Sequence, residues 1–261
     1  MYHILCDCNI MYIYLVRIFI VILLLLFSSF PLKANTIYNI IKIPNLEIYK
    51  INDENKIKYF YALKPFRLGV EKNIKCFNSD IKFLNLKYKT INNNLSLYSS
   101  YFLKKINLKY IILCENLSIS EINTAGIPDN AMKTLILDVK FDEKYFERII
   151  HHEIFHIIND SFKEIFDEKA WKKLNNKDFQ YAECSTCTDK LNLCIYNKTE
   201  GFLTEYSMST ASEDMAEIFS YLMYKKNLIE EKIIYDSVLK KKVSMLKKNI
   251  LKIDNKFKFH D

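Results

Sequence analysis

The pattern of apolar and polar residues changes in character along the chain. In the first half, short runs rich in Ile, Tyr and Phe alternate with polar segments, which is typical of β-strands. These runs predict strands at 37–41, 57–61, 110–114 and 134–139. Between the last two runs, Gly126 and Pro128 predict a loop over 124–130.

Helical spacing of apolar residues dominates after residue 142. Asp142 is a suitable N-cap for an amphipathic helix that continues to Ile158, and Ser212 is a suitable N-cap for a later helix. A polar, Cys-bearing connection over 175–200 separates the two. The predicted helices are 95–106, 145–158, 212–225 and 228–250. We therefore expect a mixed α+β fold with a small mixed sheet and C-terminal helices.

The N-terminus has the pattern of a secretory signal. Arg17 precedes ten apolar residues at 18–27, and a small residue, Ala34, follows at a suitable cleavage point. The apolar run is short for a membrane span, which needs about 20 residues. We expect export to the periplasm or the medium, with 1–34 removed. An uncleaved anchor is the alternative, and Met11 is an alternative start to Met1.

Composition excludes several classes of function. The chain has 261 residues but only 3 Gly and 4 Pro, so a glycine-rich phosphate loop is not expected. The net charge of +7 is spread along the sequence, and a charged solvent face on a helix explains the Lys-rich 225–256 region. We therefore expect no nucleic-acid partner.

Five cysteines remain after residue 34, and an oxidising compartment should pair some of them. The closely spaced Cys184, Cys187 and Cys194 predict a local disulfide, with a structural zinc held by three thiolates as the alternative. The sequence leaves the full connectivity open. The five are Cys76, Cys114, Cys184, Cys187 and Cys194.

The segment HHEIFH at 151–156 holds three of the five histidines. On a helix, His152 and His156 project from one face and can bind one zinc ion. Glu153 is then placed to take a proton from a water on that zinc, whose pKa the metal lowers to about 7. His151 lies on another face and is not expected to be a ligand.

A catalytic zinc needs a third protein ligand and an open position. Downstream, Glu213 and Glu217 lie one turn apart on the same face of the predicted helix. One carboxylate could bind zinc, while the other accepts the second N–H of a ligand histidine. An acidic first turn favoured by the helix dipole is the simpler alternative.

These motifs resemble the gluzincin metallopeptidases. The resemblance is stronger to the anthrax lethal factor-like branch and to bacterial proteins labelled putative zinc-binding metallopeptidases. The lethal factor-like pattern, roughly Leu-Thr-x-Tyr and then Glu-x-x-Ala-Glu-x-Phe, is matched in register by residues 203–206 and 213–219. The similar part covers about 133–225.

The resemblance implies a zincin-like catalytic part with a role for each matching residue. It implies that His152, His156 and Glu213 are zinc ligands and that Glu153 is the general base. It also implies that Glu217 orients a ligand histidine. Tyr206 is expected to supply a hydroxyl that stabilises the oxyanion. The strand at 134–139 resembles the zincin edge strand that binds extended substrate, although its apolar residues also suit the sheet core.

The chain departs from the family pattern at two positions. Phe155 stands where a Gly usually precedes the second histidine, and Asn159, followed by Asp160, stands where an Asp is usual. We expect Phe155 to alter the packing of the helix against its neighbour, and both changes bear on activity.

The sequence thus predicts an exported zinc endopeptidase that acts on a peptide or protein, with the substrate left open. A catalytically inactive zinc-binding scaffold or binding module is the alternative. The predicted organisation is a signal peptide at 1–34, an N-terminal α+β part at 35–130 and a catalytic part at 131–261.

Overall fold

The computed structural model describes residues 46–52 and 54–259, which form a mixed α+β fold with a curled sheet. The predicted signal segment 1–34 and the predicted strand 37–41 lie outside the described residues. Within the described ranges, no helix combines the length and the apolar character needed to cross a membrane.

The sheet has eight strands in the described part of the chain, and β5 lies at its centre. The first half of β5 pairs in parallel with β2 and β8, and its second half pairs antiparallel with β4 and β6. The strands are β1 (Leu46–Ile51), β2 (Lys58–Ala62), β3 (Phe66–Leu68), β4 (Ile74–Phe77), β5 (Tyr110–Ile119), β6 (Ile122–Asn123), β7 (Gly126–Asp129) and β8 (Thr134–Asp138).

Seven helices lie in the described ranges. Their bounds are α1 (Ile81–Leu95), α2 (Ser100–Lys105), α3 (Glu143–Ser161), α4 (Glu168–Lys172), α5 (Ala211–Tyr224), α6 (Lys226–Tyr235) and α7 (Ser237–Ile253). Asp142 is the N-cap of α3, as predicted, and its carboxylate accepts a hydrogen bond from the Lys144 N–H at 3.0 Å. Helices α3 and α5 pack against each other over much of their length. Their apolar faces, including Ile154 and Phe219, are fully buried in the core.

The predicted loop at 124–130 is wrong, because Gly126–Asp129 forms β7. This strand pairs antiparallel with β8, in the register Gly126 to Leu137. Pro128 misled the prediction, since proline is tolerated in a strand at a sheet edge. The strand predicted at 134–139 is β8, but it lies between β5 and β7. It is therefore not the edge strand, and β7 takes that place.

Two predicted helices are each interrupted. The prediction at 95–106 covers the end of α1, a turn and α2, because Ser99 is a new N-cap whose hydroxyl accepts from the Phe102 N–H at 3.1 Å. The prediction at 228–250 spans α6 and α7, because Asp236 caps α7 in the same way. In both cases a polar N-cap residue begins a new helix even though the apolar spacing continues.

The N-cap of α5 is Thr210, not Ser212 as predicted. The Thr210 hydroxyl accepts a hydrogen bond from the Glu213 N–H at 3.2 Å. Ser212 is the second residue of the helix, and its side chain is available for another contact.

Two disulfides are present among the described residues. Cys184–Cys187 confirms the predicted local bridge in the 175–200 connection and replaces the three-thiolate zinc alternative. Cys76–Cys114 joins β4 to β5 inside the sheet. Cys194 is an exposed free thiol.

Strands from both predicted parts share one sheet. β8, which follows residue 130, pairs along its length with β5, which precedes it. The two predicted parts therefore contribute to one sheet. The division into 35–130 and 131–261 stays a prediction.

Candidate metal centre

Helix α3 places His152 and His156 on one face, as the spacing predicted. The two Nε2 atoms are 3.1 Å apart, and the rings are nearly perpendicular, with centroids 4.9 Å apart. His152 is buried and His156 is half-buried. Two imidazoles four residues apart on a helix can therefore point at one ion.

Helix α5 brings Glu213 to the same point. Its Oε2 atom lies 2.9 Å from His152 Nε2 and 3.2 Å from His156 Nε2. Ligands about 2.0–2.1 Å from a tetrahedral zinc ion lie about 3.3 Å from one another. The triangle of three donor atoms therefore has nearly the size of one face of a zinc tetrahedron, and these residues could hold a metal ion.

Glu217 is one turn further along α5 and contacts the other side of His152. Its Oε1 atom lies 2.9 Å from His152 Nδ1, and its Oε2 atom accepts a hydrogen bond from Thr204 Oγ1 at 2.7 Å. The guanidinium of Arg148 forms a buried ion pair with the same carboxylate. An N–H···carboxylate bond of this kind fixes the tautomer that leaves Nε2 free for a metal.

His156 has a weaker polar contact on its outer side. Ser212 Oγ lies 3.3 Å from His156 Nδ1, and Asn159 Nδ2 donates to Ser212 Oγ at 3.4 Å. Asn159, one of the two departures from the family pattern, therefore reaches His156 only through a serine hydroxyl.

Burial and charge act against each other in this cluster. Burial alone would lower the pKa of His152, but the carboxylates of Glu213 and Glu217 outweigh it and raise the pKa to about 10. Burial also opposes ionisation of the two carboxylates, yet the histidines and Arg148 hold their pKa values below the usual range. The cluster thus favours a positive charge close to Glu213 and Glu217, as a cation bound by the three donor atoms would supply.

Glu153 lies beside the three donor atoms, in the wall of a cavity that also includes His152 and Tyr206. Burial raises the pKa of its carboxyl group. Gly126 of β7 packs directly on this side chain: a Cβ atom at position 126 would lie 2.6 Å from Glu153 Cγ. The absence of a side chain at Gly126 therefore makes room for Glu153.

Tyr206 lies in a short 3₁₀ turn, Tyr206–Met208, just before α5. Its ring stacks on that of His152 with centroids 5.9 Å apart. Burial raises the pKa of its hydroxyl well above the ordinary value, so the group is a neutral donor. The structure thus places Tyr206 with the other predicted site residues.

His151 lies on another face of α3, as expected. It is fully buried, with Nδ1 2.6 Å from Tyr98 Oη and Nε2 2.9 Å from Asn94 Oδ1. Both nitrogens are therefore used within the core.

Phe155 packs between α3 and the neighbouring segments. The side chain is fully buried, and its ring centroid lies 5.2 Å from that of Phe166 and 5.4 Å from that of Phe219 in α5. It therefore fills space between α3 and α5, and its effect on packing relative to a glycine stays a prediction.

Four contributors to the site were not identified from the sequence: Arg148, Thr204, Ser212 and Gly126. Thr204 could have been found, because it lies in the Leu-Thr-x-Tyr motif next to Tyr206. The predicted loop at Gly126 concealed its strand, and nothing in the local pattern at Arg148 points to Glu217 on another helix.

Comparison with known proteins places the chain in a family. Residues 44–259 match the family described as "putative zinc-binding metallo-peptidase", and the chain belongs to it. A similar solved structure is a crystal structure of a putative zinc-binding metallo-peptidase from Bacteroides caccae. It is 18% identical with a TM-score of 0.48, over 75% of this chain and 79% of that chain. No curated protein matched. Family membership supports a proteolytic, zinc-dependent function.

Proposed function

We propose that this protein is an exported zinc-dependent endopeptidase of the gluzincin type. The observation that carries the proposal is the convergence of three donor atoms, one of them from His152, together with a buried carboxylate, Glu153, that lines a cavity with His152 and Tyr206. A site that only stored zinc would have no use for that carboxylate.

The donor set suits zinc, since it combines two imidazole nitrogens with one carboxylate oxygen and leaves a fourth position for a small molecule. His152, His156 and Glu213 would hold the ion. When bound, zinc supplies a Lewis acid that activates water and polarises a peptide carbonyl. Glu217 would hold the His152 ring by accepting its Nδ1 proton, with Thr204 and Arg148 fixing the carboxylate.

Glu153 would act as general base and later return the proton to the leaving amine. Its raised pKa, caused by burial, brings the carboxyl group nearer to the working pH of such a base. The Tyr206 hydroxyl, kept neutral by burial, would donate a hydrogen bond to the developing oxyanion.

The edge strand β7 would bind an extended substrate. Within the described residues β7 pairs with β8 along one side, and its first residue, Gly126, contacts Glu153. A peptide that paired with its other side would therefore pass close to the proposed base. This role was expected for Thr134–Asp138, which the sheet order excludes.

Export is supported by the cysteines as well as by the apolar segment near the N-terminus. The buried Cys76–Cys114 bridge and the Cys184–Cys187 bridge both suit an oxidising compartment. We propose a secreted or periplasmic protein that meets its peptide or protein substrate there.

The test is Glu153→Gln, which keeps the size of the side chain but removes its basicity. Zinc content should stay near one ion per chain, while hydrolysis in an unbiased peptide library falls by about 100-fold or more. Product mapping by mass spectrometry and metal analysis measure the two quantities on the same preparation.

Glu164→Gln, an exposed carboxylate elsewhere, is the matched control and should leave both quantities unchanged. Undiminished cleavage by Glu153→Gln would remove the assigned base. A zinc-loaded wild-type protein that cleaves nothing in the library would instead favour the non-catalytic scaffold.

A further inference from the structure

A cavity of about 140 Å³ opens directly beside the metal centre. His152, Glu153 and Tyr206 form the part of its wall that faces the proposed reaction. A peptide held at the centre would therefore place one of its side chains in this space.

The remaining wall is mostly apolar and is built from three separate parts of the chain. Among the described residues, the charged side chains that line the cavity are those of the metal centre and its immediate partners. The apolar wall includes Ile119, Ile122, Phe141, Ile149, Leu191 and Leu193. A charged substrate side chain would lose its hydration against the apolar part of this wall.

The size of the cavity limits what can enter. An engineered cavity of about 150 Å³ lined by Leu, Ile and Phe holds a benzene molecule. The cavity beside the centre, at about 140 Å³, is thus large enough for a branched aliphatic or phenyl side chain.

One side of the cavity is held by the disulfide Cys184–Cys187. The two residues between these cysteines, Ser185 and Thr186, both line the cavity. The connection at 175–200 has no helix or extended strand of its own, so this short covalent loop is what fixes the two residues there.

We propose that this cavity is the specificity pocket of the enzyme and that it takes an uncharged apolar side chain of about the size of Leu or Phe. The Cys184–Cys187 loop forms part of its polar wall, beside Asn123 and Thr124. The assignment of the occupant to a peptide substrate rests on the proposed function. The preference for an apolar group rests on the cavity itself.

Binding without catalysis tests the pocket. The probes are N-acetyl-leucinamide, N-acetyl-phenylalaninamide, N-acetyl-glutaminamide and N-acetyl-lysinamide, titrated into zinc-loaded protein and followed by NMR. The two apolar compounds should bind at least about tenfold more tightly than the two polar ones, as expected for methylene groups in an apolar pocket.

Leu191→Lys should abolish this preference, because it places an ammonium group in the wall. Ile195→Lys is the matched control: Ile195 has nearly the same exposure, 38% against 37%, and lies in the same connection but does not line the cavity. Equal affinity for all four compounds would contradict the proposed apolar pocket. An effect of Ile195→Lys equal to that of Leu191→Lys would contradict it as well.

The loop is tested by Cys184→Ser/Cys187→Ser, with Cys194→Ser in every protein compared so that no thiol can exchange. Zinc content should be unchanged, while the preference for apolar probes falls by about threefold to tenfold. An unchanged preference would overturn the role of the loop. Cleavage of a peptide library tests the proposed function separately. A protein that binds the apolar probes but cleaves nothing would support the pocket proposal and contradict the endopeptidase proposal.

Discussion

Glu213 and Asp214 are adjacent in α5, and both are buried, but their carboxylates have different partners. Asp214 Oδ2 accepts hydrogen bonds from Lys242 Nζ at 2.7 Å, Trp171 Nε1 at 2.8 Å and Tyr181 Oη at 2.6 Å. In the described part of the chain, the hydrogen-bond partners of Glu213 Oε2 are two histidine rings.

The Asp214 carboxylate thus belongs to a structural charge cluster, whereas the Glu213 carboxylate belongs to the candidate metal centre. The chain supplies its own cation for Asp214, since Lys242 is fully buried and also donates to the Gly201 carbonyl. The partners of Glu213 are instead two histidine rings. A metal ion can take the place of the proton that gives such a ring its positive charge. One helix turn therefore holds both a structural cross-link to α7 and one side of the metal centre.

Lys242→Met should have the largest effect, and it should act on stability. It leaves Asp214 buried without its cation, so the free energy of unfolding should fall by about 3–5 kcal/mol in urea denaturation. Lys241→Met, an exposed neighbour, should change it by less than about 0.5 kcal/mol. Equal stability of the two variants would show that the Asp214 cluster carries little of the fold.

Glu213→Ala should act on metal binding. Zinc affinity should fall by more than about 100-fold. Loss of a residue that only hydrogen-bonds to a metal ligand typically costs about 10-fold to 100-fold. Free zinc at 100 times the dissociation constant should stabilise the wild type by about 2.7 kcal/mol in thermal unfolding and give this variant almost nothing. Retention of stoichiometric zinc after dialysis would exclude Glu213 as a ligand.

Glu217→Gln should weaken zinc binding by about 10-fold to 100-fold, because His152 loses a charged acceptor for its Nδ1 proton. Arg148 also loses its ionic partner, so circular dichroism must first show that the variant is folded. If this variant empties the site while Glu213→Ala does not, the roles of the two carboxylates are exchanged.

Ser212→Ala should give the smallest effect. Its hydroxyl lies 3.3 Å from His156 Nδ1 and carries no charge, so zinc affinity should fall by less than about 10-fold. A loss as large as that in Glu217→Gln would mean that the two histidines are held equally strongly. Competition with a chromogenic chelator measures both variants on one scale.

These two clusters also show which site residues can be predicted from the sequence. Helical spacing placed His152 and His156 on one face, and the downstream motif identified Glu213, because both signals are local or belong to a family pattern. The resemblance to the zinc-binding metallopeptidases is confirmed by the family match. The assigned roles of the individual residues stay predictions.

The sequence was less informative where polar contacts join distant segments. Lys242 belongs to a Lys-rich region that we read as a solvent face, yet it is fully buried against Asp214, 28 residues away. Spacing within one helix cannot reveal a partner on another. The same limit applies to Arg148 and Glu217, which are 69 residues apart.

Gly126 has a practical consequence for trapping substrate complexes. Its missing Cβ provides the clearance for Glu153, so alanine at this position is the smallest change that would displace the proposed base while leaving every ionisable group in place. Such a protein would keep its charge pattern and its apolar cavity, and it would still present β7 to a peptide. Used as bait, it offers a way to capture an uncleaved substrate for identification.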